Sequence, residues 1–351
     1  MISYSLVAFG KPFVAQERAT PEPVGREVLV RVRRAGVCHS DVHLSKGYFD
    51  FGDGQKFELV DRGMALPMTL GHEVLGEVVA AGPEAEDAPI GKTMLVHPWI
   101  GCEGCAACCD GRENDCAAMK PIGVLRDGGY ATHVIVPDPR FLVDVEGIDP
   151  SEATPLACSG VTVYSALKKA LPVEEGGWLA IIGAGGLGLA AVSIARAMGA
   201  ERIVAVDHDP AKLPAAEEMG ADATLCSAEG DARAALGALT GGRLLAALDT
   251  VGMEGTARLA LLSLAKTGRY VVVGLHGGSL RVPLPLLPMR ALTARGSYVG
   301  SVRDLRELVA LVKAGKVRSL PISERPLDQA DATLRDLEAG RIVGRVVLTA
   351  D

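Results

Sequence analysis

Residues 178–188 read WLAIIGAGGLG, and the chain continues as LAAVSIARAMG to residue 199. A short apolar run rich in β-branched residues ends in a glycine cluster, and a helix-forming stretch follows it. Gly183, Gly185 and Gly188 stand in G-x-G-x-x-G spacing, with Gly186 and Leu187 inside the same turn. The first glycine permits a tight turn, the second lets a pyrophosphate approach the backbone, and the third lets helix and strand pack closely. The helix that opens there offers free N–H groups and a partial positive charge to phosphate. The next strand, RIVAVD, ends in Asp207 at the distance expected of a ribose-binding carboxylate. A glycine-rich packing turn without a ligand is the plainer alternative. The strand before, the helix after and Asp207 together weigh against it. A carboxylate at that point accepts from the adenosine ribose hydroxyls and repels an added 2′-phosphate. His208 follows rather than arginine, so the pattern favours NAD over NADP.

Outward from this unit, strands and helices alternate. LLAALD, TARLALLSLAKTG and RYVVVGL continue the pattern, and AKLPAAEEMG (211–220) reads as a helix despite Pro214. Such alternation predicts a doubly wound parallel sheet in an α/β protein. VTVYSALKKA (161–170), RDLRELVALVKAGK and ADATLRDLEAGR read as helices, and RVVLTA as a final strand. Before residue 160 the character is different. Residues 26–34 alternate apolar and basic side chains, and 74–80 and 93–96 are short apolar runs between turn residues, as in a β-rich domain.

Bulk properties narrow the function classes. The chain has 351 residues, 48% of them hydrophobic, which suits two domains with packed cores. A net charge of −7 lacks the cationic surplus of a phosphate-backbone binder, and 4% aromatics leaves little for base stacking. Residues 176–195 carry no charge and are long enough to span a bilayer, but their glycine spacing argues against a membrane span. No secretory signal is read at the N-terminus, so a cytoplasmic location is expected. The eight cysteines are then metal ligands or buried thiols rather than disulfides.

Cys102, Cys105, Cys108 and Cys116 form a C-x2-C-x2-C-x7-C run. Four thiolates close a tetrahedral zinc shell of the structural kind. An iron–sulfur cluster is disfavoured by the last spacing and by the lack of a proline after the fourth cysteine. Cys109 is an extra thiol that leaves the register ambiguous. A second set is dispersed: Cys38 in VCHSDVH, His72 and Glu73 in LGHEVLG, and Cys158 in PLACSGVTVY. Two thiolates and an imidazole would leave one position of a zinc open, as catalysis requires. Each alone is as readily a core residue.

With VCHSD, GHE, the cysteine lobe, CSGVTVY, GAGGLG, AVD and GRVVL in this order, nearly the whole chain resembles the zinc-containing alcohol dehydrogenases of the medium-chain dehydrogenase/reductase family. The resemblance implies a GroES-like catalytic domain over 1–157 and 297–351 and a Rossmann domain over 158–296. It implies that Cys38, His72 and Cys158 bind a catalytic zinc, with Glu73 as a transient or alternative ligand. Asp41 would fix the His72 tautomer, Ser40 would contact the substrate oxygen, and His43 would end a proton relay. Thr162 would hold the nicotinamide carboxamide, His39 and Arg345 would lie near the pyrophosphate, and Lys212 near the adenosine ribose. Two zinc ions per chain, NAD, a small alcohol or aldehyde substrate and a homodimer or homotetramer follow from the same resemblance. The segments RYVVVGL and RVPLPLLPMRALTARGSYVG are similar to the family's subunit-contact region.

One departure stands out. Residues 48–68, YFDFGDGQKFELVDRGMALPM, add roughly ten residues between Cys38 and His72 and carry Tyr48, Phe49, Phe51 and Phe57. They are expected either to wall the substrate cleft or to pack the insert onto the body, and Trp99 poses the same choice. Rival readings are a zinc polyol dehydrogenase, which often lacks one catalytic cysteine, and a quinone oxidoreductase, which lacks the zinc ligands. A non-catalytic NAD-binding zinc protein would not need Ser40 and His43, and a zinc-lobe nucleic-acid binder fits poorly with the acidic charge.

Overall fold

The computed structural model describes residues 1–350. Its centre is a six-stranded parallel sheet in the order Ala223–Cys226, Ile203–Asp207, Trp178–Ile182, Leu244–Asp249, Arg269–Val272 and Thr293–Gly296. The chain winds one way from Trp178–Ile182 and then the other, so a crevice opens beyond the strand ends at this reversal. The strand reads as unbroken hydrophobic because both of its faces are covered. Leu179 and Ile181 enter one core, and Ala180 and Ile182 enter the other. Truncating Ile181, which is fully buried, to alanine removes about 2–5 kcal/mol.

The glycine turn leads into the helix Gly186–Ala197. Thus the uncharged run 176–195 is split between a strand and a helix. Among the described residues no helix is long and apolar enough to cross a membrane. The helix expected over 211–220 is a 3-10 turn, Pro210–Lys212, followed by the helix Leu213–Met219. Pro214 falls in its first turn, where the missing N–H has no partner to lose.

The second lobe is built from both ends of the chain. Its larger sheet runs Leu142–Asp144, Thr93–Val96, Glu73–Ala81, Val28–Gly36, Arg345–Thr349 and Ile322–Pro326, with His133–Val136 also paired to Val28–Gly36. Register decides what meets here. Gly36 faces Glu73 on one side and Val347 on the other. A Cβ on Gly36 would stand 1.9 Å from Glu73 Oε2, so the glycine makes room for that carboxylate. The last strand thereby brings Arg345 from the far end of the sequence to Glu73. The reading of the first part as mostly strands and loops omitted its longest helix, His39–Lys46, whose polar sequence HSDVHLSK has no apolar stripe to announce it.

Candidate active site

Cys38 and Cys158 are each the N-cap of a helix, His39–Lys46 and Ser159–Ala170 respectively. A helix N-terminus favours a thiolate. The two sulfurs lie 3.9 Å apart. His72 and Glu73 enter at the start of the strand Glu73–Ala81, and one ligand atom from each of these four residues lies within 4.8 Å of the others. The His72 ring is fully buried, and its Nδ1 faces Asp41 Oδ1 at 3.2 Å. Its Nε2 is buried with no hydrogen-bond partner. A buried orphan nitrogen beside two thiols is costly unless a metal takes it. Asp41 is itself held: its Oδ2 accepts from the Tyr130 hydroxyl at 2.8 Å and from the Cys38 N–H at 3.1 Å.

Charge is shared unevenly across the two thiols. The Cys158 S–H, with His72 and Arg345 nearby, holds the Cys38 thiol well below its usual range, and Cys158 is correspondingly raised. Burial works against protonation of His72, but the Asp41 carboxylate and the Cys38 sulfur outweigh it and raise the imidazole. Glu73 is raised by burial, against the pull of Arg345. Its carboxylate is already engaged: Arg345 donates to Oε2, and the Ser159 N–H donates to Oε1 at 3.3 Å. Ser40 Oγ lies 3.8 Å from the Cys38 sulfur.

Four of the other six cysteines, Cys102, Cys105, Cys108 and Cys116, bring their sulfurs within 4.8 Å of one another. Cys109 is exposed and stands outside the group, which settles the register. Backbone N–H groups of Gly104 and Cys105, with the neighbouring thiols, bring Cys102 down to about 6. A Cβ on Gly101 would lie 2.5 Å from the Cys108 sulfur, so the loop closes over a glycine. The donor set is four sulfurs, enough to fill a tetrahedral shell, which suits a structural zinc.

Both the buried ligand set and the glycine turn open on one cleft of about 930 Å³. Gly183 has φ +96°, and a side chain there would strike Thr250 and Val251. A Cβ on Gly188 would lie 1.7 Å from Gly183 O, whereas one on Gly185 would meet nothing within 4 Å. Thus Gly183 turns, Gly188 packs, and Gly185 borders open space. Gly186 packs against the Arg345 side chain. Asp207, at the end of its strand, accepts from the Ala184 N–H at 2.7 Å, which ties it to the turn. Lys212, Leu187 and Thr162 line the cleft. The Thr162 hydroxyl is buried without a partner, a polar atom waiting for a ligand.

Two family models match the chain: an alcohol dehydrogenase GroES-like domain over residues 25–147 and a zinc-binding dehydrogenase domain over 186–314. The chain is 36% identical to an NAD-dependent alcohol dehydrogenase of Sulfurisphaera tokodaii over 350 residues, 99% of each chain. It is equally similar, at 36% over 99% of each, to one from Saccharolobus solfataricus. The alcohol dehydrogenase structure from Aeropyrum pernix superposes with a TM-score of 0.90 at 32% identity, covering 100% of both chains. The chain belongs to the zinc-containing alcohol dehydrogenase family.

In this family member the aromatic insert is a hairpin, Tyr48–Gly52 with Gln55–Glu58. Phe49 and Phe57 line the cleft, and the Arg62 guanidinium caps the Phe57 ring at 4.4 Å. Phe51 is exposed and stacks on Phe57 at 4.9 Å. The tip also packs: Ser279 Oγ donates to Asp53 at 2.7 Å, and a Cβ on Gly277 would lie 2.6 Å from Asp50 O. Wall and packing are therefore both true of different residues. Trp99 does both jobs at once, lining the cleft 5.5 Å from the His72 ring while its indole N–H donates to Ala157 O.

Sequence reasoning missed three residues of this alcohol dehydrogenase site. His276 stacks on His39 at 4.9 Å and lies edge-on to His43 at 6.2 Å. Its position just past the strand Arg269–Val272 was the available signal, since strand ends carry the cleft. Tyr130 and Tyr298 reach the site from loops that nothing local marks. Burial, then His39 and His276, bring His43 down to about 4.

Proposed function

We propose that this alcohol dehydrogenase is zinc-dependent and NAD-linked, moving a hydride between a primary or secondary alcohol, aromatic alcohols included, and the nicotinamide ring. The observation that carries the reading is the orphaned Nε2 of buried His72 between two thiols, facing a cleft that also contains the dinucleotide turn. Cys38, His72 and Cys158 hold the catalytic zinc. Cys102, Cys105, Cys108 and Cys116 hold a structural one, making two ions per chain. A zinc held there supplies Lewis-acid polarisation of an alcohol oxygen.

The chain's own residues do the rest. Asp41 orients His72, and Ser40 takes the hydroxyl proton. His43, neutral near pH 7 because its pKa is brought down to about 4, passes a proton toward solvent. Glu73, already bonded to Arg345 and to the Ser159 N–H, serves as an alternative ligand only. Gly183, Gly185, Gly186, Leu187 and Gly188 cradle the pyrophosphate, with His39 and Arg345 beside it. Asp207 and Lys212 take the adenosine ribose, and Thr162 holds the carboxamide. Residues 1–157 and 297–351 act as the catalytic domain and 158–296 as the coenzyme domain. Phe49, Phe57 and Trp99 supply the apolar wall that suits an aromatic alcohol. A cytoplasmic homodimer or homotetramer is proposed. Supporting it, the edge strand Thr293–Gly296 is exposed along its length, and Leu284 and Met289 nearby are 77% and 76% exposed.

The test is metal analysis of the purified protein together with NAD and NADP reduction over an alcohol panel. Two zinc ions per chain and turnover with NAD are expected. One zinc per chain, or no turnover on any alcohol, overturns the proposal.

A further inference from the structure

Asp249 ends the strand Leu244–Asp249 at the sheet's reversal point and is fully buried. Among the described residues no cation pairs with it. Four neutral donors surround it instead. Its Oδ1 accepts from the Val251 and Gly252 N–H groups, both at 2.9 Å. Its Oδ2 accepts from the Thr256 hydroxyl at 2.9 Å and the Tyr270 hydroxyl at 3.0 Å. A carboxylate accepts only, so it can serve all four donors, whereas an amide would turn its own N–H₂ on two of them. Burying an unpaired charge is expensive. Three of the four donors, the Val251 and Gly252 N–H groups and the Thr256 hydroxyl, belong to the 251–256 stretch that walls the cleft, and the fourth, Tyr270, stands on the neighbouring strand Arg269–Val272.

The 251–256 stretch connects to the glycine turn. Val251 and Thr250 abut Gly183, where a Cβ would stand 2.7 Å from each of their side chains. The Asp249 carbonyl accepts from the Val273 and Gly274 N–H groups at 2.9 and 3.1 Å. The Val251 and Gly252 carbonyls accept from His276 and Gly277 at 3.2 and 3.1 Å. Val251, Met253, Thr256, Gly274 and His276 all line the cleft. One residue therefore fixes two consecutive walls of the cleft and buttresses the first glycine of the turn.

We infer that Asp249 is a positioning residue for the dinucleotide: it holds the Thr250–Gly252 and Val273–Gly277 walls in the conformation that binds coenzyme, and so sets coenzyme affinity. This rests on the reading that a nicotinamide dinucleotide occupies the cleft. The experiment uses the zinc-loaded full chain. NADH binding is titrated, and KM is measured separately for NAD and for an alcohol the unaltered enzyme oxidises, in D249A, D249N and Y270F. Tyr270 does not line the cleft, so Y270F alters only the carboxylate's donors. D249A is expected to weaken NADH binding at least about tenfold, the weight of one charge-assisted hydrogen bond. KM for NAD should rise in parallel, while zinc content and KM for the alcohol hold. D249N, which keeps an oxygen for Val251 and Gly252, should recover most of the loss, and Y270F should show a smaller loss of the same kind. If D249A does not fold, Y270F decides the matter: weakened NADH binding supports the inference and unchanged binding overturns it. If the unaltered protein fails to bind NADH, the cofactor reading falls and this inference with it. If it binds NADH and the folded variants bind it equally well, the inference alone is overturned.

Discussion

Arg345 donates to the Glu73 carboxylate in the interior of the lobe built from both ends of the chain, with 7% and 0% of the two side chains exposed. The pair joins the last strand to the strand that begins at Glu73, next to His72. Breaking a buried ion pair by removing one partner costs about 3–5 kcal/mol. R345A should therefore lower the midpoint of guanidinium unfolding of the zinc-loaded protein. The double variant E73Q/R345M should recover much of that loss, because it leaves no charge behind. An unchanged midpoint in R345A would contradict the role.

Asp41 faces the Nδ1 of His72 and is itself locked by Tyr130. A carboxylate in that place sets which imidazole nitrogen is free for the metal, and losing it typically costs 10–100-fold in metal affinity or activity. D41N should release one zinc equivalent to a chelator much faster than the unaltered protein does. The second zinc proposed for the four-cysteine lobe, whose ligand set does not include Asp41, should be retained. Y130F should show a weaker form of the same effect.

His97 is fully buried, stacked on Phe141, and 3.6 Å from Glu113 Oε1. Burial, with Arg306 nearby, lowers it from the ordinary 6.5 to about 3. The folded protein thus keeps His97 neutral where the unfolded chain takes up a proton. Its contribution to stability is complete above about pH 6.5 and is lost as the pH falls toward 3, at up to about 1.4 kcal/mol per pH unit. Unfolding measured from pH 7 to 4 should show this decline, and H97L should have a flatter profile. Identical slopes in the two proteins would rule His97 out as the source.

Phe49 and Phe57 bring the insert into the cleft wall. F49A and F57A remove apolar contact worth about tenfold in binding. KM for an aromatic alcohol should rise by that order in each, while kcat/KM for a two-carbon alcohol changes little. Equal losses for both substrates would mean that the hairpin serves only to pack.

The parallel-sheet half was readable because its signals are local. WLAIIGAGGLG contains its strand, its turn and its helix start in eleven consecutive residues, and the four-cysteine lobe carries its spacing in fifteen. Sequence periodicity likewise announced the final helices and the strand Arg345–Thr349. The helix His39–Lys46 had no such signal, because it is held by its cap and its neighbours rather than by an apolar stripe.

The chain by itself therefore determined the parallel α/β unit, the glycine turn with Asp207 at the end of the next strand, and two sets of residue types able to bind metal. Which of those residues meet was decided only by tertiary structure. Cys38, His72 and Cys158 are brought together by sheet register and two helix starts. Gly36 clears space for Glu73, the last strand brings in Arg345, and Asp249 gathers donors from a loop, a helix and a strand. Such meetings depend on contacts between residues tens to hundreds of positions apart. A linear sequence states the chemistry of each partner, but the packing of whole elements sets the distance between them.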